Sequence, residues 1–353
     1  MGQDQGRSSP RWRALNALQQ ALYYLDRSAA PGQKVRAFMR AAQVISALDE
    51  AELDRLVAAG TITSLPGIGS STGAVVADAV AGRSGGYLDR LDQTTRVEAA
   101  EGAELRRRLR GDCHSHSTWS DGSAPVGLMA RSAQSLGHDY LVVTDHSPRL
   151  TIAHGLSAER LGEQRREIDE LNARFDSEAS ARGHAAFRVL RGSEVDILID
   201  GTLDLDDSVL GELDVVVASV HSKLRMPHDE MTARLIKAVS NPHVDILGHC
   251  TGRQISGTPR APSTFDAAAV FRACAEHNTA VELNCRPERQ DPPDELLSLA
   301  LDAGCRFVID TDAHAPGQLE WLASGCDKAA RHAIDPTRIL NTYGVEELLA
   351  SLG

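Results

Sequence analysis

The sequence predicts an α/β protein in two parts: a small all-α module, then a closed or nearly closed parallel β/α barrel. Three observations predict it. Hydrophobic spacing is helical through residues 11–110, then gives way near residue 108 to short β-rich runs alternating with helical stretches. The alternation repeats seven times, which a parallel sheet with helical crossovers satisfies most simply. The charge changes at the same place. Residues 1–110 carry 15 Lys+Arg against 12 Asp+Glu, net +3, and the rest carry 22 against 37, net −15, within a total of −12.

The elements follow in chain order. Residues 1–10 read as a short flexible leader without the apolar core of a signal peptide. The run RWRALNALQQALYYLDRSAA has apolar positions at helical spacing, and PGQKVRAFMRAAQVISAL repeats the pattern after a Pro-Gly break. DEAELDRLVAAG opens with carboxylates and stops on Gly60, as a helix should. In LPGIGSSTGAVVADAVAG, residues 65–69 form a glycine turn, and Ser70 or Ser71 is expected to cap the next helix. These pieces make a helical domain over 11–105.

A second domain is expected over 108–353. Strands are predicted at 110–116, 140–144, 187–194, 213–220, 244–248, 280–284 and 306–311. Helices are predicted at 124–136, 157–182, 228–240, 263–277, 292–303 and 319–333. In the first, Val126, Met129, Ala130, Ala133 and Leu136 form one apolar stripe. Asp200-Gly201 is a hairpin signal that interrupts the alternation. The six cysteines form no CxxC pair and suit free thiols in a reducing cytoplasm. No apolar run approaches a membrane span, so no membrane partner is expected.

In such barrels, chemistry sits at the C-terminal ends of the strands. Here those ends carry His114 and His116, Asp145-His146, Glu194, His221, His249, and Asp312 with His314. Residues i and i+2 of a strand face the same way, so His114 with His116, and Asp312 with His314, can each serve one ion. Asp121 follows in the first loop. Imidazole and carboxylate suit Zn, Mn or Fe, and nine candidates exceed the ligands of one ion, so two or three divalent metals are expected. The remaining histidines, His138, His154, His184, His228, His243, His277 and His332, are read as non-ligands, His154 being nearest the functional side.

The stretches CHSHSTWSDG, VVTDHS, GSEVDI, ASVHSKLRMPHDEMTARLIKAVSNPHVDILGHCTGR, VELNCRPERQDPP and DTDAH resemble the PHP (polymerase and histidinol phosphatase) superfamily over about residues 108–340. They are most similar to the PHP domain of bacterial and archaeal X-family DNA polymerases. The resemblance implies a distorted seven-stranded β/α barrel with a cluster of usually three metals. It implies His114, His116, Glu194 and Asp312 on one ion. Glu194 would bridge to a second held by His221 and His249, and Asp121, His146 and His314 would hold the third. The front module is similar to the helix-hairpin-helix domain of the same polymerases, which implies DNA phosphate binding at Gly67, Gly69 and Ser70.

Two departures matter. No polymerase palm lies between the modules, since residue 95 or so leads almost directly into the barrel, so no polymerase activity is expected. The position of the lyase lysine of some relatives is Val75, and residues 56–82 contain no lysine, so no Schiff-base chemistry is expected. The resemblance implies a phosphoesterase in which a metal-bound hydroxide attacks phosphorus, with DNA 3′ ends the expected substrate of an exonuclease or phosphatase. A small phosphomonoester such as histidinol phosphate is the second reading, and a DNA-binding scaffold with a structural metal module is the third. Arg253 and Arg286 or Arg289 are candidate phosphate clamps, and Asp145 a candidate group for orienting a ligand. The arginine run 106–110 reads as the junction between the modules. The oligomeric state is open.

Overall fold

The computed structural model describes residues 9–84, 86–183 and 185–352. The leader's residues 1–8, and His184, lie outside them. The chain divides into two compact units at Val97/Glu98.

The first unit is all-α: α1 (Pro10–Arg27), α2 (Gly32–Ala47), α3 (Glu50–Ala58), α4 (Ser70–Val80) and α5 (Tyr87–Thr95). Ser9 caps α1 by accepting from the Trp12 amide at 3.3 Å, and Pro10 follows where no amide is needed. The buried stripe Ala14, Leu18, Ala21 and Leu25 of α1 meets Phe38 and Ile45 of α2, Leu53 of α3 and Val76 of α4. Val75 lies in the same core.

A 3-10 turn, Ile62–Ser64, leads from α3 into the glycine turn. Gly67 has φ +93°, which a side chain would strain. The residue capping α4 is Gly69, not Ser70 or Ser71 as expected. The reason is Thr72, at the third helical position, whose hydroxyl reaches back to accept from the Gly69 amide at 2.9 Å.

The second unit begins earlier than the expected 108. The amides of Ala100 and Gly102 both donate to Asp327 Oδ1 at 2.8 Å, and the helix that follows, α6 (Ala103–Arg108), stays with the barrel. The arginine run is therefore part of the barrel unit, with Arg106 Nη2 3.3 Å from His138 Nε2.

Seven parallel strands run in sequential order: β1 (Gly111–Asp112), β2 (Tyr140–Val143), β3 (Arg188–Asp196), β4 (Val215–Ser219), β5 (Ile246–Leu247), β6 (Ala280–Asn284) and β7 (Phe307–Asp310). The main crossovers are α7 (Val126–Ser135), α8 (Ala158–Arg182), α9 (Asp207–Leu210), α10 (His228–Val239), α11 (Ala267–Glu276) and α12 (Asp294–Asp302). After β7 come α13 (Leu322–Arg331) and α14 (Val345–Leu352). Buried Tyr140, Val142, Val217, Ile246 and Val308 form an apolar cluster of the sheet, and Val126, Met129, Ile168 and Phe175 of α7 and α8 pack with Leu141 and Val143. Gly111 is required where it stands: a Cβ would lie 2.2 Å from the Tyr140 ring. The hairpin forms as expected, with Gly201 at φ +80° and the Leu198 amide donating to Thr202 O at 2.7 Å.

Closure between β7 and β1 is made largely by side chains. One bridge joins Ser115 and Ala313, with the His116 amide donating to Ala313 O at 2.7 Å. The Cys113 amide donates to Asp310 Oδ1 at 2.7 Å. Buried Asn341 donates to Gly111 O at 3.1 Å and Ile309 O at 2.6 Å, and accepts from the Ile309 amide at 3.1 Å. Among the described residues, no helix is long and apolar enough to cross a membrane.

Two outcomes follow. Asn341→Ala leaves buried backbone groups of β1 and β7 unpaired, at roughly 1–3 kcal/mol each, and is expected to cost about 2–4 kcal/mol in urea unfolding. Burial alone raises the Asp26 carboxyl from 3.8 to about 7. Its folded value lies above its unfolded one, so the stability it contributes at low pH is lost as pH rises between those values. Asp26→Asn should therefore raise the melting temperature at pH 8 and leave it unchanged near pH 4.

Candidate metal centre

The C-terminal strand ends converge because β3 is the longest strand and carries Glu194 to the middle of the mouth. Glu194 Oε1 lies 2.8 Å from His249 Nε2 and 3.1 Å from His221 Nε2. Its Oε2 lies 2.8 Å from His146 Nδ1, 3.4 Å from His114 Nε2 and 3.6 Å from His116 Nε2. Asp312 Oδ1 stands 3.4 Å from His116 Nε2 and 3.9 Å from His114 Nε2. Asp121 Oδ1 stands 3.3 Å from His314 Nε2 and 3.6 Å from His146 Nε2.

The nine candidates thus share one site. Three groups have ligating atoms within 4.8 Å of one another: His114, His116 and Asp312; His146, Glu194 and His221; and His116, Asp121, His146 and His314. The grouping differs from the implied one in detail. His116 and His146 each stand in two groups, and His249 meets Glu194 without joining any of the three.

The donor set fits divalent metal. His114 Nε2, both nitrogens of His116 and of His221, His146 Nδ1, His249 Nδ1 and Glu194 Oε2 are buried without a hydrogen-bond partner. Each such atom costs about 1–3 kcal/mol, a burden that a cation shared among them removes. Two of the candidates are also held in left-handed backbone, His249 at φ +20° and Asp312 at φ +53°, a geometry that concentrates at functional sites.

The electrostatics ready the two carboxylates and His116 for a cation. Burial opposes charge on His114 as well, but Glu282 and Glu194 outweigh it and raise His114 well above the ordinary imidazole value. Burial opposes the charge on Glu194, but His221, His146 and His114 hold its carboxyl well below the usual range. Burial opposes Asp312 in the same way, and Arg286, His116, His114 and Arg289 outweigh it. Burial, with His314 and His146 beside it, holds His116 well below the ordinary imidazole value, so it is neutral and can donate a lone pair. His221 moves the other way, to about 9: burial lowers it, but Glu194 and Asp196 prevail.

Strand β6 supplies no candidate ligand, yet it braces three of them. Glu282 Oε1 lies 2.6 Å from His114 Nδ1, and Oε2 accepts from the His249 amide at 2.5 Å and from Asn284 Nδ2 at 3.1 Å. Asn284 Nδ2 also lies 3.3 Å from Asp312 Oδ2. A carboxylate on Nδ1 fixes the ring so that Nε2 faces the site. Sequence reasoning missed this pair. Its signal was an acid and an amide two residues apart in the otherwise apolar run AVELN.

Among the described residues, the Asp145 carboxylate bonds none of the candidate ligands directly and acts on the loop of one of them. It accepts from Ser117 N at 2.7 Å, Ser117 Oγ at 2.6 Å, Ser120 N at 3.2 Å and Gln164 Nε2 at 2.6 Å. Those bonds order the loop that carries Asp121. Gly122 lets that loop turn, since a Cβ would lie 2.7 Å from His116 O. Arg286 is at the site, its Nη1 3.4 Å from Asp312 Oδ1 and 3.1 Å from His314 Nδ1. Arg289 Nε lies 3.1 Å from Asp312 Oδ2. Arg253 is not directed at the ligands. Its Nε donates to Arg289 O at 2.9 Å and its Nη2 to Gln290 O, so it props the loop of the other two arginines. Among the described residues, no histidine beyond the predicted six joins the three groups. Gly67, Gly69 and Ser70 are exposed in the helical unit and take no part in this centre.

A parallel β/α barrel with a histidine–carboxylate cluster at its C-terminal mouth is the scaffold of a candidate metal centre. Residues 112–286 match the model of the PHP domain. The barrel unit therefore contains a PHP domain. It is 41% identical over 245 residues to the "DNA polymerase/3'-5' exonuclease PolX" of Bacillus subtilis, a match covering 69% of this chain and 41% of that protein. The chain thus spans about two-fifths of the length of this relative. It is 29% identical over 243 residues to a "Probable phosphatase" of Aliivibrio fischeri, covering 65% of this chain and 88% of that one. Among solved structures it is similar to a histidinol phosphate phosphatase from Lactococcus lactis complexed with zinc, L-histidinol and phosphate, at 20% identity and a TM-score of 0.45, over 63% of this chain and 94% of that one.

Glu282→Gln should weaken divalent metal binding about 10–100-fold, the usual effect of removing a ligand's supporting carboxylate. Chelator-competition titration checks this, and an affinity equal to wild type would contradict the bracing role.

Proposed function

We propose that the chain hydrolyses phosphate esters at DNA 3′ ends, as a 3′–5′ exonuclease or a 3′-phosphatase. Two or three divalent ions, Zn, Mn or Fe, are held by His114, His116, Asp121, His146, Glu194, His221, His249, Asp312 and His314. The carrying observation is the buried donor set around Glu194, with two arginines at its edge. The likeness to a protein named for 3′–5′ exonuclease activity directs the substrate towards DNA.

Divalent ions in such a site lower the pKa of water to near 7 and neutralise phosphate charge. The protein's own groups set the rest. Glu194, ionised at the centre, fixes the spacing of the surrounding imidazoles. Arg286 and Arg289 present guanidinium donors beside Asp312, where a phosphoryl oxygen can share them. Asp145 holds the Asp121 loop in place. In the helical unit, the turn before α4 has the form of a helix-hairpin-helix. The Gly69 amide is taken by Thr72, so phosphate binding there falls to Gly67 and to the exposed first turn at Ser70.

A small phosphomonoester remains the second reading, favoured by the match over 88% of the length of a protein named a probable phosphatase. Assaying 3′-labelled DNA beside histidinol phosphate, with His114→Ala as control, separates the two. DNA-end hydrolysis abolished in His114→Ala is expected. Turnover of histidinol phosphate alone, without DNA binding, would refute the DNA reading. Ser70→Glu should weaken DNA binding most at low salt, read by fluorescence anisotropy across a salt series.

A further inference from the structure

We propose that the loops following β4 and β5 form a wall that guides a polynucleotide's phosphodiester backbone to the metal centre. The inference rests on the DNA reading above and names the surface that would serve it.

The first observation is where acid is missing. Residues 215–228 (VVVASVHSKLRMPH) and 246–265 (ILGHCTGRQISGTPRAPSTF) contain no Asp or Glu, within a region of net charge −15. Both segments run from a strand to the C-terminal mouth and contain a candidate ligand, His221 or His249. They carry Lys223, Arg225, Arg253 and Arg260.

The second observation is how the cations are presented. Lys223 sits in left-handed backbone at φ +56°, and the Met226 amide closes the turn onto Lys223 O at 3.0 Å. Leu224 turns inward against Gly252, where a Cβ would lie 2.6 Å from Leu224 Cδ2. The Met226 sulfur lies 3.3 Å from buried Arg234 Nη1. Lys223 and Arg225, between and beside these anchors, are exposed. Neither has an ion pair among the described residues. Elsewhere on the barrel Arg131, Arg165, Arg188 and Arg191 each face a carboxylate.

The third observation is continuity. Ser263 Oγ donates to Leu224 O at 2.8 Å, the Ile255 amide donates to Glu288 O at 2.7 Å, and Arg253 Nε donates to Arg289 O at 2.9 Å. The loops 222–226, 251–263 and 286–290 are therefore stitched side by side, and the last carries Arg286 and Arg289 to Asp312. Lys223 is two residues beyond His221, a span of at most about 7 Å. Ile255, 50% exposed, adds an apolar contact for a sugar or base. A single phosphate at the metals does not need this wall. A chain of phosphates does.

The test is the double reversal Lys223→Glu/Arg225→Glu in the full chain with its metals. It should raise KM for a 3′-labelled single-stranded oligonucleotide at least tenfold. It should also flatten the salt dependence of kcat/KM by about 1.4 in log–log slope, two phosphate contacts at roughly 0.7 each. Turnover of p-nitrophenyl phosphate, too small to reach the wall, should hold at the wild-type value. If the reversal lowers metal content, Lys223→Gln/Arg225→Gln carries the same comparison. Unchanged KM and salt slope on the oligonucleotide, with metal content intact, would overturn the wall and leave the DNA reading standing. A wild-type chain that turns over p-nitrophenyl phosphate but no oligonucleotide would overturn the DNA reading, and the wall with it.

Discussion

The structure depends on one buried carboxylate. Glu194 is 1% exposed and lies against imidazoles from β1, β2, β4 and β5. A lone carboxylate at that depth would protonate rather than stay charged. The surrounding rings reverse this, and they can do so only if each strand delivers its histidine to the same level. Strand β3 meets the demand by outrunning its neighbours, pairing with Val217 of β4 at Glu194 and bridging to His146 beyond the end of β2. Fold and site are therefore one problem: the barrel register is what places the donors, and the donors share a need that a cation fulfils.

The weak seam of the barrel follows from the same constraint. Between β7 and β1 both chains must carry two donors each to the mouth, His114 with His116 and Asp312 with His314. The strands diverge there, and the rings of His116 and His314 come to 4.1 Å between centroids. Backbone pairing gives way to buried side chains: Asn341 across β1 and β7, Asp310 on the Cys113 amide, and Thr311 Oγ1 on Asp112. Polar closure is tolerated because nearly every group finds a partner, which is the condition for burying any of them.

Much of this was legible in the sequence because strand periodicity is strict. Two donors at i and i+2 after a β-rich run face one way, which holds for His114 and His116, whereas Asp312 turns into left-handed backbone and stands in a different group from His314; repetition over the other strand ends made the cluster readable. What was illegible depended on side-chain direction. Arg253 is four residues from His249, but nothing in the spacing says that it turns to the carbonyls of residues 289 and 290. Glu282 looks like any strand acid until His114 and the His249 amide are placed around it. Ser70 looked like a cap because it follows the glycine turn, but it is the first residue of α4, and the bond that decides the cap comes from Thr72.

The acidity of the barrel unit seems at first to oppose a phosphate substrate, but net charge is the wrong quantity at this range. At physiological ionic strength charges separated by more than about 8 Å in solvent are largely screened. Acids at the far end of the barrel unit therefore count for little at the mouth. What a phosphate meets there is local: Arg286 and Arg289 over Asp312, and the acid-free loops after β4 and β5. Metal ions held by Glu194, Asp312 and Asp121 would tip the local balance further. An acidic exterior and an anionic phosphate are thus compatible wherever the local cations at the mouth outweigh its own acids, Glu288 and Asp121 among them.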